Sequence, residues 1–343
     1  MALLRCRPLT SGRARTRSVV RMKAAAYETT GGPEVFRYID VEEPALRRGG
    51  LLIDVAFIGI QGGDLLHRAR GVMATNPHIV GYQVSGIVRA VGEGVTGFVP
   101  GQPVAATMSY GSHAEVVSVP TNSAWAVPDG VSLEAAAGIP IEFGTAHDCL
   151  FEFGHLQAGQ SVLIQAGAGG VGLAAIQMAK AAGATVFATA SSDDRLARLT
   201  EHGCDHGINY VRDDLAKKVM EITDGRGVDL VVDSVGGATL VKSIEALAYR
   251  GRISWVGDAG RDPNPPDLGG IKGKNAVING VFLGAELMLN NARAHGMIAG
   301  IFDRVAAGEL TVVTDRTFHL SEAADAHRYI ESRQAFGRVL MKP

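Results

Sequence analysis

Six residues in the middle of the chain, Gly167-Ala168-Gly169-Gly170-Val171-Gly172, form a complete G-x-G-x-x-G. Glycines at this spacing suit a backbone that must lie against a diphosphate. Gly167 allows a tight turn, Gly169 lets the backbone approach the phosphates, and Gly172 lets the following helix pack closely. Amides heading that helix face the anion, and the helix dipole favours negative charge there. Glycine makes up 44 of 343 residues, so the motif alone carries little weight. Its setting carries more. Val162-Leu163-Ile164 reads as a buried strand, Leu173–Ala182 as a helix closed by Gly183, and Thr185–Ala190 as a second strand. Strand, turn, helix and strand within about 30 residues is the context of a dinucleotide site.

The end of the second strand bears on which dinucleotide. A site for the unphosphorylated form carries an acid about 20 residues past the first glycine, to hold the ribose 2′-hydroxyl. That position is Ala190 here, followed by Ser191, Ser192 and Arg195. Two hydroxyls and a guanidinium suit a 2′-phosphate, which points to NADPH rather than NADH. Asp193 and Asp194 stand where the next helix begins and are expected to cap it.

The elements that must position this turn form two groups. From Met22 to Phe143 short strands at Lys23–Tyr27, Leu51–Ile58, Gly86–Val91 and Val104–Ala106 alternate with glycine and proline turns, which predicts a mostly β, barrel-like domain. Leu133–Ala137, after Ser132, reads as a helix start with Glu134 in its first turn. From Gly144 the rhythm becomes strand and helix in turn. Further strands are expected at Gly207–Tyr210, Val228–Val232, Arg252–Val256 and Val277–Leu283, with helices at Leu215–Thr223 and Thr239–Ala248. This is an α/β, doubly wound parallel Rossmann sheet. Glu286–Ala307 reads as a long helix interrupted by Gly296 and Gly300. Thr314–Pro343, with a strand at Phe318–Leu320, a helix capped by Ser321 and a strand at Arg338–Met341, is expected to return to the first domain. The expected limits are 1–21 for a leader, 22–143 and 308–343 for the β domain, and 144–307 for the cofactor domain.

Composition excludes some classes of function. A hydrophobic content of 46% supplies ample cores, and a net charge of −2 gives no general attraction to nucleic acid or anionic membrane. The charge is uneven: residues 1–21 hold six arginines (Arg5, Arg7, Arg13, Arg15, Arg17 and Arg21) and no acid, so their removal takes −2 to −8. Such a segment fits a mitochondrial presequence, and with it a matrix location. Pro8 and Gly12 oppose a continuous amphipathic helix, and Met22 opens a natural start, so an upstream-extended reading frame is preferred. In either case residues 1–21 are expected to be disordered. Cys6, Cys149 and Cys204 are too far apart for a metal or disulfide framework, and a reducing cytoplasm is the expected compartment. The longest apolar run, Val162–Ala179, is broken by Gln165, Gln177 and glycines, so no membrane span is expected.

The segments GGPEVF (31–36), VRAVGEGVTGFVPGQPVA (88–105), YGSHAEVVSVP (110–120), GAGGVGLAAIQMAKAAGATV (167–186), DLVVDSVGG (229–237) and GRVLMKP (337–343) together resemble the zinc-independent quinone oxidoreductases of the medium-chain dehydrogenase/reductase superfamily. The resemblance covers nearly everything after Met22. It implies a GroES-like catalytic domain beside the Rossmann domain. Where the superfamily's alcohol dehydrogenases hold zinc, this chain has Gln61, Tyr82 and, at the third position, Ile141, and the four-cysteine structural lobe is missing. No metal site is expected. Without a Lewis acid the acceptor must already be electron-poor, such as a quinone or a C=C conjugated to a carbonyl.

The resemblance also implies roles for single residues. Gln61 and Asp64 stand in the Asn-x-x-Asp segment that lines the nicotinamide end; Gln61 replaces the asparagine, and Asp64 by itself reads as a turn or cap residue. Thr145 matches a threonine beside the nicotinamide and could also be a helix N-cap, whereas His147, where the family has tyrosine, reads as a packed boundary residue. Tyr82 and Tyr110 are the candidate proton donors or ring-stacking groups. Tyr210 matches a tyrosine at the adenine and 2′-phosphate end, and Val235, Val256, Gly257, Phe282 and Leu283 lie past successive strands, where open α/β sheets bind ligands. A homodimer through the 277–283 edge strand is expected. Two alternatives stand beside quinone reduction. One is reduction of enones or enoyl thioesters. The other is NADPH binding without turnover, as a structural or RNA-associated protein, for which no basic run interleaved with aromatics speaks.

Overall fold

Short β-branched runs between glycine and proline turns build the first half of the chain. The computed structural model describes residues 20–343. Strand β1 (Arg21–Ala26) pairs antiparallel with β2 (Arg37–Glu42). Next come β3 (Gly50–Gly59), helix α1 (Gly62–Arg70), β4 (Gln83–Val91), β5 (Pro103–Thr107), β6 (Val116–Pro120) and β7 (Ala124–Ala126). The ten-residue β3 is the spine: two register shifts bend it, and β4, β6 and the last strand of the chain all pair with it. Its buried residues Leu51, Ile53 and Ile58 meet Val84, Val88 and Val104 in one core.

Helices α2 (Leu133–Ala136) and α3 (Pro140–His147) lead into the second half. Ser132 caps α2 by accepting from the amide of Ala135, and Pro140 opens α3 without losing a needed donor. Then follow β8 (Ser161–Ile164), α4 (Gly170–Ala181), β9 (Thr185–Ala190), α5 (Asp193–Glu201), β10 (His206–Asn209), α6 (Leu215–Ile222), β11 (Val228–Asp233), α7 (Gly237–Ala246), β12 (Leu247–Trp255), α8 (Gly270–Lys274) and β13 (Val277–Gly280). Six parallel strands stand in the order β10-β9-β8-β11-β12-β13, so strand order reverses between β8 and β11. Val162 and Ile164 face one core and Leu163 the other, which is why this strand is apolar from Val162 to Ile164. Fully burying each such side chain contributes roughly 1.5–3 kcal/mol.

Helices α9 (Leu283–Leu289) and α10 (Asn291–Ala306) follow, and β14 (Thr314–His319), α11 (Ala323–Glu331) and β15 (Arg338–Lys342) end the chain. The last two strands complete the seven-stranded sheet, with β15 between β14 and β3.

Several local expectations differ from the structure. The leader lies outside the described residues except at its end, where Arg21 opens β1. Ser192, not Asp193 or Asp194, caps α5 through the Arg195 amide. Strand β12 starts at Leu247, which shortens α7, and β13 stops at Gly280. The long C-terminal helix breaks at Asn290 and runs straight through Gly296 and Gly300, where an added Cβ would meet nothing. The helix expected after Ser321 begins at Ala323, preceded by a short 3-10 turn.

Candidate active site

The turn between β8 and α4 is held by its neighbours before any ligand is considered. Ala166 takes φ 51°, so the left-handed step belongs to it and not to Gly167. Its amide donates to Thr189 Oγ1 (3.1 Å), and the Gly167 amide donates to the Thr189 carbonyl (2.9 Å). A Cβ on Gly167 would stand 2.9 Å from Leu199 Cδ1, so its smallness serves packing on α5. A Cβ on Gly172 would lie 2.5 Å from the Ala166 carbonyl oxygen, which lets the helix start close to its own turn. Gly169 faces open space, with nothing nearer than 3.4 Å. Beyond it the amides of Gly170, Val171 and Gly172, in the first turn of α4, have no intrahelical acceptor. Together with the open face at Gly169 they fit a diphosphate. Ala168 lies between these glycines and is nearly buried.

A buried polar chain sets the strand ends around this turn. Thr189 Oγ1 donates to Gln165 Oε1 (2.9 Å), Gln165 Nε2 to Ser243 Oγ (3.0 Å), and Ser243 Oγ to Asp233 Oδ2 (2.7 Å). Asp233 Oδ1 accepts the amides of Val235 and Gly236, both at 2.9 Å. Burial pushes the Asp233 carboxyl up, against those hydrogen bonds. The chain fixes Val235 past β11. The Val256 amide donates to the Asp233 carbonyl (2.8 Å), so Val256 and Gly257 follow β12 beside it. Phe282 is 71% exposed, whereas Leu283 is buried against Gly144.

At the end of β9 the Tyr210 amide donates to the Ala190 carbonyl (3.2 Å), which brings Tyr210 beside Ser191. Tyr210 is half-exposed. Arg195 is not left in solvent. Its guanidinium donates to the carbonyls of Gln334 (3.0 Å), Arg333 (3.3 Å) and Ala335, so the expected 2′-phosphate cation is already engaged by the loop before β15.

On the opposite wall Gln61 is the N-cap residue of α1. Its amide donates to Asp64 Oδ2 (2.8 Å), while Asp64 Oδ1 is buried without a partner. Asp64 is therefore a cap residue, and it is fully buried. Burial pushes its carboxyl up to about 8; the Gln61 amide and Arg338 oppose this and Glu142 adds to it. The Tyr82 hydroxyl packs against Gly63, where a Cβ would lie 2.6 Å away, and burial raises this phenol well above its ordinary range. Thr145 lies in the interior of α3, buried, and is not its N-cap. Tyr110 is more exposed and tilts over His78, with ring centroids 5.5 Å apart. His147 packs on Phe151 beside Asp148, whose carboxylate is held in two contacts (2.8 and 2.9 Å) by Arg293.

Three residues of this site were not foreseen. Glu142, buried at 1% exposure, accepts from Gln61 Nε2 (2.7 Å), from Gln83 Nε2 (3.0 Å) and from the Arg338 guanidinium. Gln83 Oε1 accepts the Ile141 amide (2.7 Å). Arg338 also donates to the Ile60 carbonyl, and its Nε is buried without a partner. The available signal was a lone carboxylate in the apolar stretch AAAGIPIEFG. Zinc does not fit these positions: the Gln61 amide is committed to Glu142, the Tyr82 phenol is held neutral, and Ile141 has no donor side chain. Among the described residues no group of three His, Cys, Asp or Glu could hold a metal ion.

Known proteins resemble this chain in sequence and in fold. Residues 47–129 match the alcohol dehydrogenase GroES-like domain, and residues 170–298 match the zinc-binding dehydrogenase family. A 2-haloacrylate reductase from Burkholderia sp is 33% identical over 93% of this chain and 98% of its own. A quinone oxidoreductase from Pseudomonas aeruginosa is 32% identical over 94% and 99%. The chain belongs to the quinone oxidoreductase branch of the medium-chain dehydrogenase/reductase superfamily. The Escherichia coli quinone oxidoreductase complexed with NADPH superposes with a TM-score of 0.87 at 26% identity, covering 94% of this chain and all of that one. The Rossmann sheet and the GroES-like unit are those of this superfamily, and the chain is an oxidoreductase.

Proposed function

We propose that this chain transfers hydride from NADPH to a quinone-type, electron-poor acceptor, and that no metal ion takes part. One observation carries the reading: the positions that hold zinc elsewhere in the superfamily bear Gln61, Tyr82 and Ile141, and the Gln61 side chain is committed to a hydrogen bond with Glu142 beside the head of α4. No Lewis acid polarises the acceptor there, so the acceptor must be reactive by itself.

NADPH, when bound, supplies the hydride. The amides of Gly170, Val171 and Gly172 hold the diphosphate, and Ser191 and Tyr210, with Arg195 at the rim, define the 2′-phosphate end. Val235, Val256, Gly257, Phe282 and Leu283 supply the strand-end surfaces for the adenosine and the carboxamide. Gln61 and Thr145 orient the nicotinamide end. A quinone that takes up one hydride needs one proton to become the hydroquinone; the Tyr82 hydroxyl, kept in its O–H form by burial, would donate a hydrogen bond to the acceptor oxygen, and the proton itself would come from solvent. Asp64, protonated below about pH 8, keeps negative charge low around the emerging hydroquinone oxygen.

Nicotinamide fluorescence titrated with NADPH and NADH, then turnover of 1,4-naphthoquinone and of an enone in chelator-treated buffer, tests this reading. Tighter NADPH binding and metal-independent naphthoquinone reduction are expected, with slower turnover in Tyr82→Phe. Failure to bind either coenzyme, or a strict zinc requirement, overturns it. Reduction of the enone alone would establish the second reading, a reductase of activated C=C bonds, which the 2-haloacrylate reductase relative favours.

The same proposal sets the catalytic unit at 22–143 and 308–343 and the cofactor unit at 144–307. It also includes a homodimer through the edge strand β13, near which Val277, Phe282, Met288 and Leu289 are exposed. A monomeric mass in light scattering would reject the dimer. No helix among the described residues is long and apolar enough to cross a membrane. The cytoplasm is the proposed compartment, with the matrix as the alternative if residues 1–21 direct import.

A further inference from the structure

Three donors from three separate parts of the chain converge on one carboxylate. Glu142 Oε1 is shared by Gln61 Nε2 and the Arg338 guanidinium, while Oε2 takes Gln83 Nε2. The same pair of side chains presses on the phosphate helix. A Cβ on Gly170 would lie 2.8 Å from Glu142 Cγ, 2.8 Å from Arg338 Cδ and 3.0 Å from Arg338 Nη1. Glu142 thus touches Gln61 on the acceptor side and Gly170 on the cofactor side. The buried cation between them still has an unused donor, Nε.

The charges explain why this arrangement matters. A buried carboxylate beside a helix start that must receive a diphosphate repels it unless a cation stands between. Arg338 is that cation: Glu142 holds its guanidinium, and the same side chain packs against Gly170 in the first turn of α4. When the guanidinium leans toward the diphosphate, Oε1 of Glu142 is left to Gln61 alone, and that charge-assisted bond strengthens.

We infer that Glu142 is a positioning residue that couples occupancy of the phosphate turn to the setting of Gln61, by sharing Arg338 with the cofactor diphosphate. The inference rests on the role proposed above for Gln61 at the nicotinamide end. Glu142 and the diphosphate would compete for one guanidinium, so weakening the hold of residue 142 on Arg338 favours the cofactor even as it loosens Gln61.

Glu142→Gln tests it. The neutral amide frees Arg338 for the diphosphate, so the NADPH dissociation constant from fluorescence titration is expected to fall about threefold or more. Turnover of 1,4-naphthoquinone is expected to drop about tenfold, with its KM changed less than about twofold, because Gln61 orients rather than binds the acceptor. A purely structural Glu142 would lower Tm and move neither constant in these opposite directions. A folded E142Q whose NADPH affinity is unchanged or weaker overturns the coupling, as does one with wild-type turnover. Should E142Q not fold because Arg338 is left buried and unpaired, the charge-free pair Glu142→Gln with Arg338→Met decides. In that protein turnover about fivefold or more below wild type supports the inference, and a smaller loss overturns it. Failure of the parent reading shows instead in the unsubstituted protein. If that protein binds NADPH but reduces no quinone, the affinity change in E142Q alone decides the coupling.

Discussion

The backbone amide of Gly337 donates to the carbonyl of Ala168 over 2.8 Å. The loop that leads into β15 is thereby hydrogen-bonded to the turn that opens α4, and the next residue, Arg338, lies against Gly170. One short segment near the C-terminus links the GroES-like sheet to the cofactor turn. The bond requires glycine, because Gly337 has φ 99° and a Cβ would stand 2.3 Å from the Val313 carbonyl oxygen.

Gly337→Ala should therefore destabilise the protein by about 1–3 kcal/mol through backbone strain. The loss is expected in urea denaturation midpoints. It should be accompanied by weaker NADPH binding, since the Ala168 carbonyl would lose its donor. An alanine variant with wild-type midpoint and affinity would show that the loop adapts freely.

Arg195 bonds three carbonyls of the same loop, and Arg198 lies 3.6 Å from the centroid of the Phe336 ring. Arg195→Ala is expected to cost about 1–2 kcal/mol, the low range for bonds of a charged donor at a partly exposed site. Limited proteolysis should report faster cleavage within 333–336. If neither midpoint nor cleavage moves, the guanidinium does not hold this loop in solution.

Ser191 stands at the end of β9 with Tyr210 drawn to it by the Ala190 carbonyl. Ser191→Asp places a carboxylate where a 2′-phosphate would sit and where a ribose hydroxyl would find an acceptor. The ratio of NADPH to NADH affinity should fall about tenfold or more, through repulsion of like charges. A variant that keeps its NADPH preference would move the 2′-phosphate site elsewhere.

Asp64 makes stability depend on pH. Its carboxyl is raised to about 8 in the folded protein from the ordinary 3.8. The folded state therefore keeps a proton that the unfolded chain releases above about pH 4. Its contribution is unperturbed below that and is lost progressively as pH rises to about 8. Asp64→Asn cannot ionise, so it should gain on wild type across this window, by a few kcal/mol at about pH 9 and not at all near pH 4. Denaturation midpoints at acidic, neutral and alkaline pH provide the check. Parallel curves for the two proteins would show that Asp64 ionises normally.

The local elements were legible because their causes are local. The apolar run of β8, the glycine turn and the cap at Ser132 each depend on residues within one or two turns of one another. Errors arose where two local signals competed. Both Ser192 and Asp193 can cap α5, and Asp193 is instead taken by Asn209 Nδ2 (3.1 Å) and Arg212 (2.8 Å). Gly296 and Gly300 looked like breaks, yet α10 is supported by packing of Ala294, Ile298 and Ile301 and continues through both.

Pattern along the chain was enough to establish a parallel sheet with a dinucleotide turn and a second β unit, and the family resemblance added that Gln61, Tyr82 and Ile141 would stand where alcohol dehydrogenases hold zinc. It could not say that Gln61 would meet Glu142, that Arg338 would complete the pair beside Gly170, or that Arg195 would turn to residues 333–335. Those partners are separated by about 80 to 200 positions, and nothing in their spacing marks them. They were chosen in three dimensions, because a charge or amide taken out of water must pair with whatever donor or acceptor the packing brings within reach.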